Sequence, residues 1–443
     1  MSENQYIKIS LPASKSIVNR LLIIEKLSGK SFLNKKYISC DDTKVLSQVL
    51  SKITLPQRVQ RKCKERQKLI FKHFNLRPLR FLCTLCGKKN DCFNIKNSGT
   101  AMRFMTAFLT QKVGNWLLIG SESMQNRPID TLVNALRTLG AEIEYCGEVG
   151  FLPIKICTKT PLNPQNIELT IENSNSSQTI SALMLIAPNF INGLTINVKN
   201  CASFPYILLT KKIMEDCGAE VQINDNQIVI KNQKYSFNKN FEVESDWDAA
   251  TFWYAFLATN EQQKKITLTN LFPNSYQPDS IVKDIFEKFG IKSVFSNHHC
   301  GFGTSLTLQK EENFTLPKNF DFDFENYPDL VPIMAVTCCA LGIKFNFSGV
   351  RHLRIKESNR LDALQNELKK CGYLLTQTEN SLQWLGEKCA PEKLPKIETY
   401  NDHRIAMSFA ILLQNIDLQI LNKNVVSKSY KNFWQHYRKF IAL

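Results

Sequence analysis

The chain has 443 residues, 43% of them hydrophobic and 22% charged, enough for two or three domains. That profile excludes a disordered, collagen-like or coiled-coil chain. Lys and Arg total 56 against 40 Asp and Glu, a net charge of +16, which favours anionic partners: nucleic acid, an acidic membrane or phosphorylated metabolites. The opening MSENQYIKIS shows no basic run followed by an apolar one, so no signal peptide is expected. The longest nearly apolar stretch, Leu330 to Ile343, contains Pro332 and falls short of the roughly 18 residues of a membrane span. The 14 cysteines are expected to be reduced, mostly buried thiols of a cytoplasmic protein.

In chain order, LPASKSIVNRLLIIEKL predicts a helix from near Ser16. Its free N–H groups, with Lys15 and Arg20 beside them, outline an anion site. Alone, this reads equally well as an ordinary capped helix. Residues 55–96 then hold 12 Lys/Arg against 2 Asp/Glu, so +10 of the charge lies there. NSGTAMRFMTAFLT repeats the helix-start design: Asn97 and Ser98 can cap, Gly99 admits a ligand to the backbone, Thr100 donates, and Arg103 follows one turn later. Arg127 precedes Pro128 at a further helix start. Ser176, Ser177 and Gln178 mark another, and Ser203 and Tyr206 a fifth.

The C-terminal half supplies ionisable groups. Asp329 follows Pro328 at a helix start. Lys356 and Arg360 stand four apart, which predicts a shared helix face, with Glu357 three before Arg360. His403 and Arg404 abut an apolar helix, and Lys428 lies near the C-terminus. A repeat runs through all of this. Amphipathic stretches end at Gly140, Gly218, Gly290 and Gly372, and each is followed by a β-prone run. The spacing predicts an α/β class built from duplicated units.

These motifs occur in a recognisable order: LPASKSIVNR, NSGTAMR, NRPI, SNSSQ, SFPY, the Pro-Asp pair, RIKESNR, NDHRIAM and a final Lys. The chain resembles the 5-enolpyruvylshikimate-3-phosphate synthase family from about residue 7 to the C-terminus. The resemblance implies an inside-out α/β barrel fold of two domains, each of three repeated α/β units: residues 13–239, and residues 1–12 with 240–443. It implies transfer of the enolpyruvyl group of phosphoenolpyruvate to the 5-hydroxyl of shikimate 3-phosphate, in a monomer needing no metal or organic cofactor. Lys15, Ser16, Arg20, Ser176, Ser177, Gln178, Ser203, Tyr206, Asp329 and Lys356 would bind shikimate 3-phosphate. Lys15, Asn97, Gly99, Arg127, Gln178, Arg360, Arg404 and Lys428 would bind phosphoenolpyruvate. Asp329 would take the hydroxyl proton, and Glu357, with Lys428, would handle the proton at the methylene carbon. Lys15 would act beside them, and His403 would hydrogen-bond near Glu357. At position 352 the family often has Asn; a polar contact from His352 is expected to persist. Ser98 and Phe104 also depart from some members, beside the glycine where glyphosate binds.

Other readings follow from the same residues. The related enolpyruvyl transferase acting on UDP-N-acetylglucosamine uses a Lys–Asn pair and a loop Cys, whereas SKSIVNR fits shikimate 3-phosphate. An inactive relative is a third possibility. A nucleic-acid partner rests only on charge confined to one segment. Within residues 55–96, Cys63, His73, Cys83, Cys86 and Cys92 could form a metal clip, or the segment could touch nucleic acid. The favoured reading is a frame error or a loosely ordered insertion, which would overwrite the strand expected before Asn97.

Overall fold

The computed structural model describes residues 7–53, 91–172, 176–237, 241–297 and 304–442. Among them, four sheets of four strands share one topology. In the first, Asp91–Asn94 pairs in parallel with Gly114–Ile119, which pairs antiparallel with Ile154–Thr158, which in turn pairs with Glu142–Tyr145. The same order recurs over 168–230, over 7–9 with 265–310, and over 319–384. A two-stranded sheet joins Lys396–Ile397 to Gln419–Ile420.

Strand alternation faces each sheet two ways. In ELTIE, Leu169 and Ile171 are buried while Glu168, Thr170 and Glu172 point to water. KFNFS repeats this, with Phe345 and Phe347 inside. Helices cover the buried faces. Trp247–Thr259 is buried at every position, and Val331–Leu341 at nine of its residues, as its nearly all-apolar sequence requires. The glycine repeat has a structural basis: Gly140, Gly218, Gly290 and Gly372 all have positive φ, from +75° to +101°. Each ends a helix and turns the chain towards the third strand of its sheet.

Among the described residues, the buried apolar side chains fall into two separate clusters. One draws on residues between Ile17 and Val243. The other joins Ile7, Ile9 and Leu11 to residues from Trp247 to Phe440. Two neighbouring chain crossings link the lobes built on these cores. There Ser14 N donates to Glu244 O at 2.9 Å and Asp246 N to Pro12 O at 2.8 Å.

The strand expected to be overwritten is present. Phe93 and Ile95 are buried, and Phe93 stands opposite Leu118. DCFNI alternates as a half-buried strand should, a signal hidden in the sequence by the basic run before it. Cys92 lies in that strand. Cys63, His73, Cys83 and Cys86 lie outside the described residues, so the metal-clip, nucleic-acid and frame-error readings do as well.

Candidate active site

Between the lobes lies a cleft lined from both sides. From the first lobe come Lys15, Ser16, Arg20, Asp42, Gly99, Thr100, Arg127, Ser176, Ser177, Gln178, Ser203 and Tyr206. From the second come Pro328, Asp329, Lys356, Glu357, Arg360 and Arg404. Most of these residues stand at or just before the first turn of a helix: Lys15–Ser28, Gly99–Leu109, Ser177–Ile186, Pro205–Asp216, Arg360–Lys370 or His403–Phe409. Unpaired N–H groups and the positive ends of helix dipoles therefore converge on one space.

In the first lobe, Arg20 on the wall and Arg103 near it have neutral partners. Arg20, 3% exposed, donates to Thr210 Oγ1 at 2.7 Å, to Ser16 O at 2.8 Å and to Tyr206 O at 3.2 Å. Arg103 donates to Pro128 O at 2.8 Å, and to Gly99 O and Gln178 Oε1, each at 3.3 Å. Gln178 in turn donates to Thr100 Oγ1 at 3.1 Å. Burial pushes Arg20 down to about 10 and, with Arg127 nearby, Arg103 to about 9. Gly99 makes room for Arg127: a Cβ there would lie 2.5 Å from Arg127 Nη1.

The second-lobe wall is a network of charges. Arg360 donates to Asp402 Oδ2 at 2.8 Å, Asp329 Oδ1 at 3.0 Å and Glu357 Oε2 at 2.8 Å. Arg404 reaches Asp329 Oδ2 at 2.7 Å and donates to Asp248 Oδ1. Lys428 Nζ donates to Glu357 Oε1 at 2.8 Å, and Arg127 approaches the same oxygen from the first lobe at 3.6 Å. Burial would raise Asp329, but Arg404, Arg360 and Lys356 outweigh it and hold the carboxyl below the usual carboxylate range. Burial is likewise outweighed at Glu357 by Lys428, Arg360 and Arg127. Burial lowers Lys356 to about 8. It also keeps His403 well below the usual imidazole range, helped by Lys15 and Arg404.

Tyr206 crosses the cleft, its hydroxyl donating to Asp279 Oδ2 at 2.8 Å. Ser203 takes a positive φ of 62° and its N–H donates to Glu325 O of the second lobe at 3.1 Å. Lys428 and His403 are not among the lining residues, and Lys428 meets the cleft wall at Glu357. Asn97 stands outside it, its carbonyl accepting from Ser121 and Ser123.

Three expectations change. Lys356 and Arg360 do not share a helix face: the helix begins at Arg360, because Asn359 caps it by accepting from Asp362 N. Both still face the cleft. His403 makes no ring hydrogen bond among the described residues, since Glu357 has its oxygens on Lys428, Arg360 and Arg127. His352 is 2% exposed with both ring nitrogens unpartnered among the described residues, so the expected polar contact is missing. Burial lowers it to about 3, so the ring is neutral at physiological pH.

Sequence reading missed Asp42, Asp248 and Asp402. Asp402 lay inside a motif already noted; its carboxylate caps the helix from His403 by accepting from Arg404 N at 2.9 Å. Asp248 had a signal in ESDWDAA, where two acids flank a Trp just ahead of an apolar helix.

A two-lobed α/β protein whose cleft gathers helix starts, arginines, lysines and two ion-paired carboxylates has the construction of an enzyme acting on small polyanions. Residues 2–437 match the family model for EPSP synthase (3-phosphoshikimate 1-carboxyvinyltransferase), and the chain belongs to that family. It is 38% identical over 434 residues to the 3-phosphoshikimate 1-carboxyvinyltransferase of Bacteroides fragilis (strain YCH46), covering 97% of this chain and 94% of the relative. Identity to the enzyme of the same name from Buchnera aphidicola subsp. Cinara cedri is 31% over 450 residues, with the same coverage of 97% and 94%. Among solved structures, EPSP synthase from Acinetobacter baumannii superposes with a TM-score of 0.69 at 19% identity, over 99% of this chain and 96% of that one. The superposition bears on the fold alone. Among the described residues no helix is long and apolar enough to cross a membrane.

Proposed function

We propose that the cleft transfers the enolpyruvyl group of phosphoenolpyruvate to the 5-hydroxyl of shikimate 3-phosphate and releases phosphate. Enolpyruvyl transfer in the shikimate pathway is the activity of the family to which the chain belongs. The assignment to individual residues rests on one observation above all. A single guanidinium, Arg360, holds both Asp329 and Glu357 on the cleft wall, with cations of both lobes around them.

Both substrates carry a phosphate and a carboxylate, and a phosphate monoester adds roughly −1.5 to −2 at neutral pH. Arg20, Ser16, Ser176, Ser177, Ser203, Tyr206 and Lys356 hold shikimate 3-phosphate in this reading. Gly99, Arg127, Arg360, Arg404 and Lys428 hold phosphoenolpyruvate, and Lys15 and Gln178 reach both. Asp329 keeps 23% of its side chain open, enough to accept the 5-hydroxyl proton as that oxygen attacks the enol carbon. Lys428, hydrogen-bonded to the ionised Glu357, supplies through it the proton that goes to the methylene carbon as the hydroxyl oxygen bonds to the enol carbon; Glu357 then removes a proton from that carbon as the C–O bond to phosphate breaks, and returns it to Lys428.

The ligand-free electrostatics add a coupling. The cations that depress Asp329 and Glu357 are those assigned to the substrates' anionic groups. An anion bound to Arg360, Arg404 and Lys428 takes up part of their positive field, and both carboxylates become stronger bases. Base strength then develops only in the loaded site. The reading extends to a cytoplasmic monomer, consistent with the buried thiols of Cys40, Cys217, Cys338, Cys339 and Cys371. The test is phosphate release on mixing purified protein with the two substrates; no release above the single-substrate controls would sink the proposal.

A further inference from the structure

Asp248 is a buried carboxylate that no substrate contact explains. It lies in the first turn of Trp247–Thr259, a helix buried along its whole length, so its backbone has little freedom to shift. An acid at a helix start is ordinarily a response to the helix dipole. Here that need is already met by Asp246, which caps the helix by accepting from Asp248 N at 3.1 Å and also accepts from Lys15 N at 3.1 Å. The second carboxylate faces elsewhere. Its Oδ1 accepts from Arg404 Nη1, and its Oδ2 lies 3.6 Å from Lys15 Nζ.

We propose that Asp248 is a positioning residue for the transfer reaction: one carboxylate that grips Lys15 of the first lobe and Arg404 of the second, setting their separation across the cleft. The inference rests on the activity proposed above, because Lys15 and Arg404 are there assigned to the substrates. Two features give it force. Arg404 Nε has no partner among the described residues, so the guanidinium is held only by Asp248 and Asp329. Without Asp248, Arg404 would depend on Asp329 alone and tie up the proposed base. Lys15, in turn, opens the first-lobe helix directly beyond the chain crossing. Its ammonium is held to the second lobe beside the chain crossing that joins the lobes.

The test compares Asp248→Asn and Asp248→Ser with the parent enzyme. Asn keeps the shape but has one acceptor oxygen instead of two, so it can hold Arg404 or Lys15 and not both. We expect folded but less stable variants, with kcat lower by about 10- to 100-fold, the cost of a misplacement of around 1 Å. KM for phosphoenolpyruvate should not rise, because a negative charge has left the neighbourhood of two anion-binding cations. For the same reason inorganic phosphate, measured by calorimetry, should bind several-fold more tightly. A merely structural lesion would not tighten phosphate binding while slowing turnover. Folded variants with parental kcat, or with weaker phosphate binding, would overturn the proposal. So would unfolding of both variants, which would leave Asp248 a purely structural role. Absence of turnover in the parent would refute the activity, while the phosphate comparison would still decide the fate of Asp248.

Discussion

The arginines on the two walls of the cleft are held in opposite ways. Arg20, on the first-lobe wall, and Arg103, near it, are buried among hydroxyls, carbonyls and an amide, and burial lowers both. Arg360 and Arg404, on the second-lobe wall, are equally buried, yet carboxylates outweigh that cost and raise both: Asp402, Glu357 and Asp329 for one, Asp248 and Asp329 for the other. Around Arg20 and Arg103 the first lobe therefore carries positive charge whose natural counterion is a ligand, while Asp42 lines the same wall and Lys15 and Arg127 reach carboxylates of the second lobe. The second is neutralised from within, and an arriving anion must compete with its own carboxylates. The contrast fits a division of labour in which one wall binds and the other does proton chemistry, since the bases have to be stored beside the charges that will later release them.

Four measurements break or sharpen this contrast. The largest effect should come from Asp329→Asn: turnover falls about 100- to 10,000-fold while shikimate 3-phosphate still binds, because an amide keeps the shape but cannot accept the proton. Parental turnover in a folded Asp329→Asn enzyme would remove the base from the second wall. Next is Arg360→Met. It strands Asp402, Asp329 and Glu357 without their shared cation, and should cost about 3–5 kcal/mol in chemical denaturation. The contrast predicts a smaller stability loss for Arg127→Met, whose one carboxylate contact is 3.6 Å long; equal losses for the two would erase the distinction.

Gly99→Ala should leave stability nearly intact, since the group it displaces is the flexible end of Arg127. Moving that guanidinium should lower kcat/KM for phosphoenolpyruvate by up to about 100-fold. An unaffected kcat/KM would separate Arg127 from the substrate. The mildest effect is on pH dependence. Lys356, lowered to about 8 chiefly by burial, carries its charge below that pH and loses it above. The kcat/KM profile for shikimate 3-phosphate should therefore fall as pH rises through about 8. Lys356→Arg should move that limb to higher pH, because a guanidinium does not titrate there. An unmoved limb would assign it to another group.

The α/β class and the repeating unit were legible in the chain because they depend on local rules. A 3.6-residue period, a left-handed glycine after each helix and an alternating strand can each be read within some 20 residues. The same holds for the cationic side chains and helix starts that line the cleft, which came as contiguous motifs. The boundary of the helix at Arg360 was misread because a cap from Asn359 outranked the i, i+4 spacing of Lys356 and Arg360. The strand at Asp91–Asn94 was missed because composition was averaged over its basic neighbours.

What the linear order could not contain was which charges would meet. Asp248 and Arg404 are 156 residues apart, Tyr206 and Asp279 are 73, and Lys428 and Glu357 are 71. The sequence by itself determined the elements, the repeat and the side chains offered at each helix start, because propensity and patterning act over a few turns. Tertiary structure alone decided that Arg360 and Arg404 would be neutralised by carboxylates and Arg20 left to a ligand. Coulomb energy depends on separation in space and on burial, and both are set only when the two cores pack and the lobes face each other.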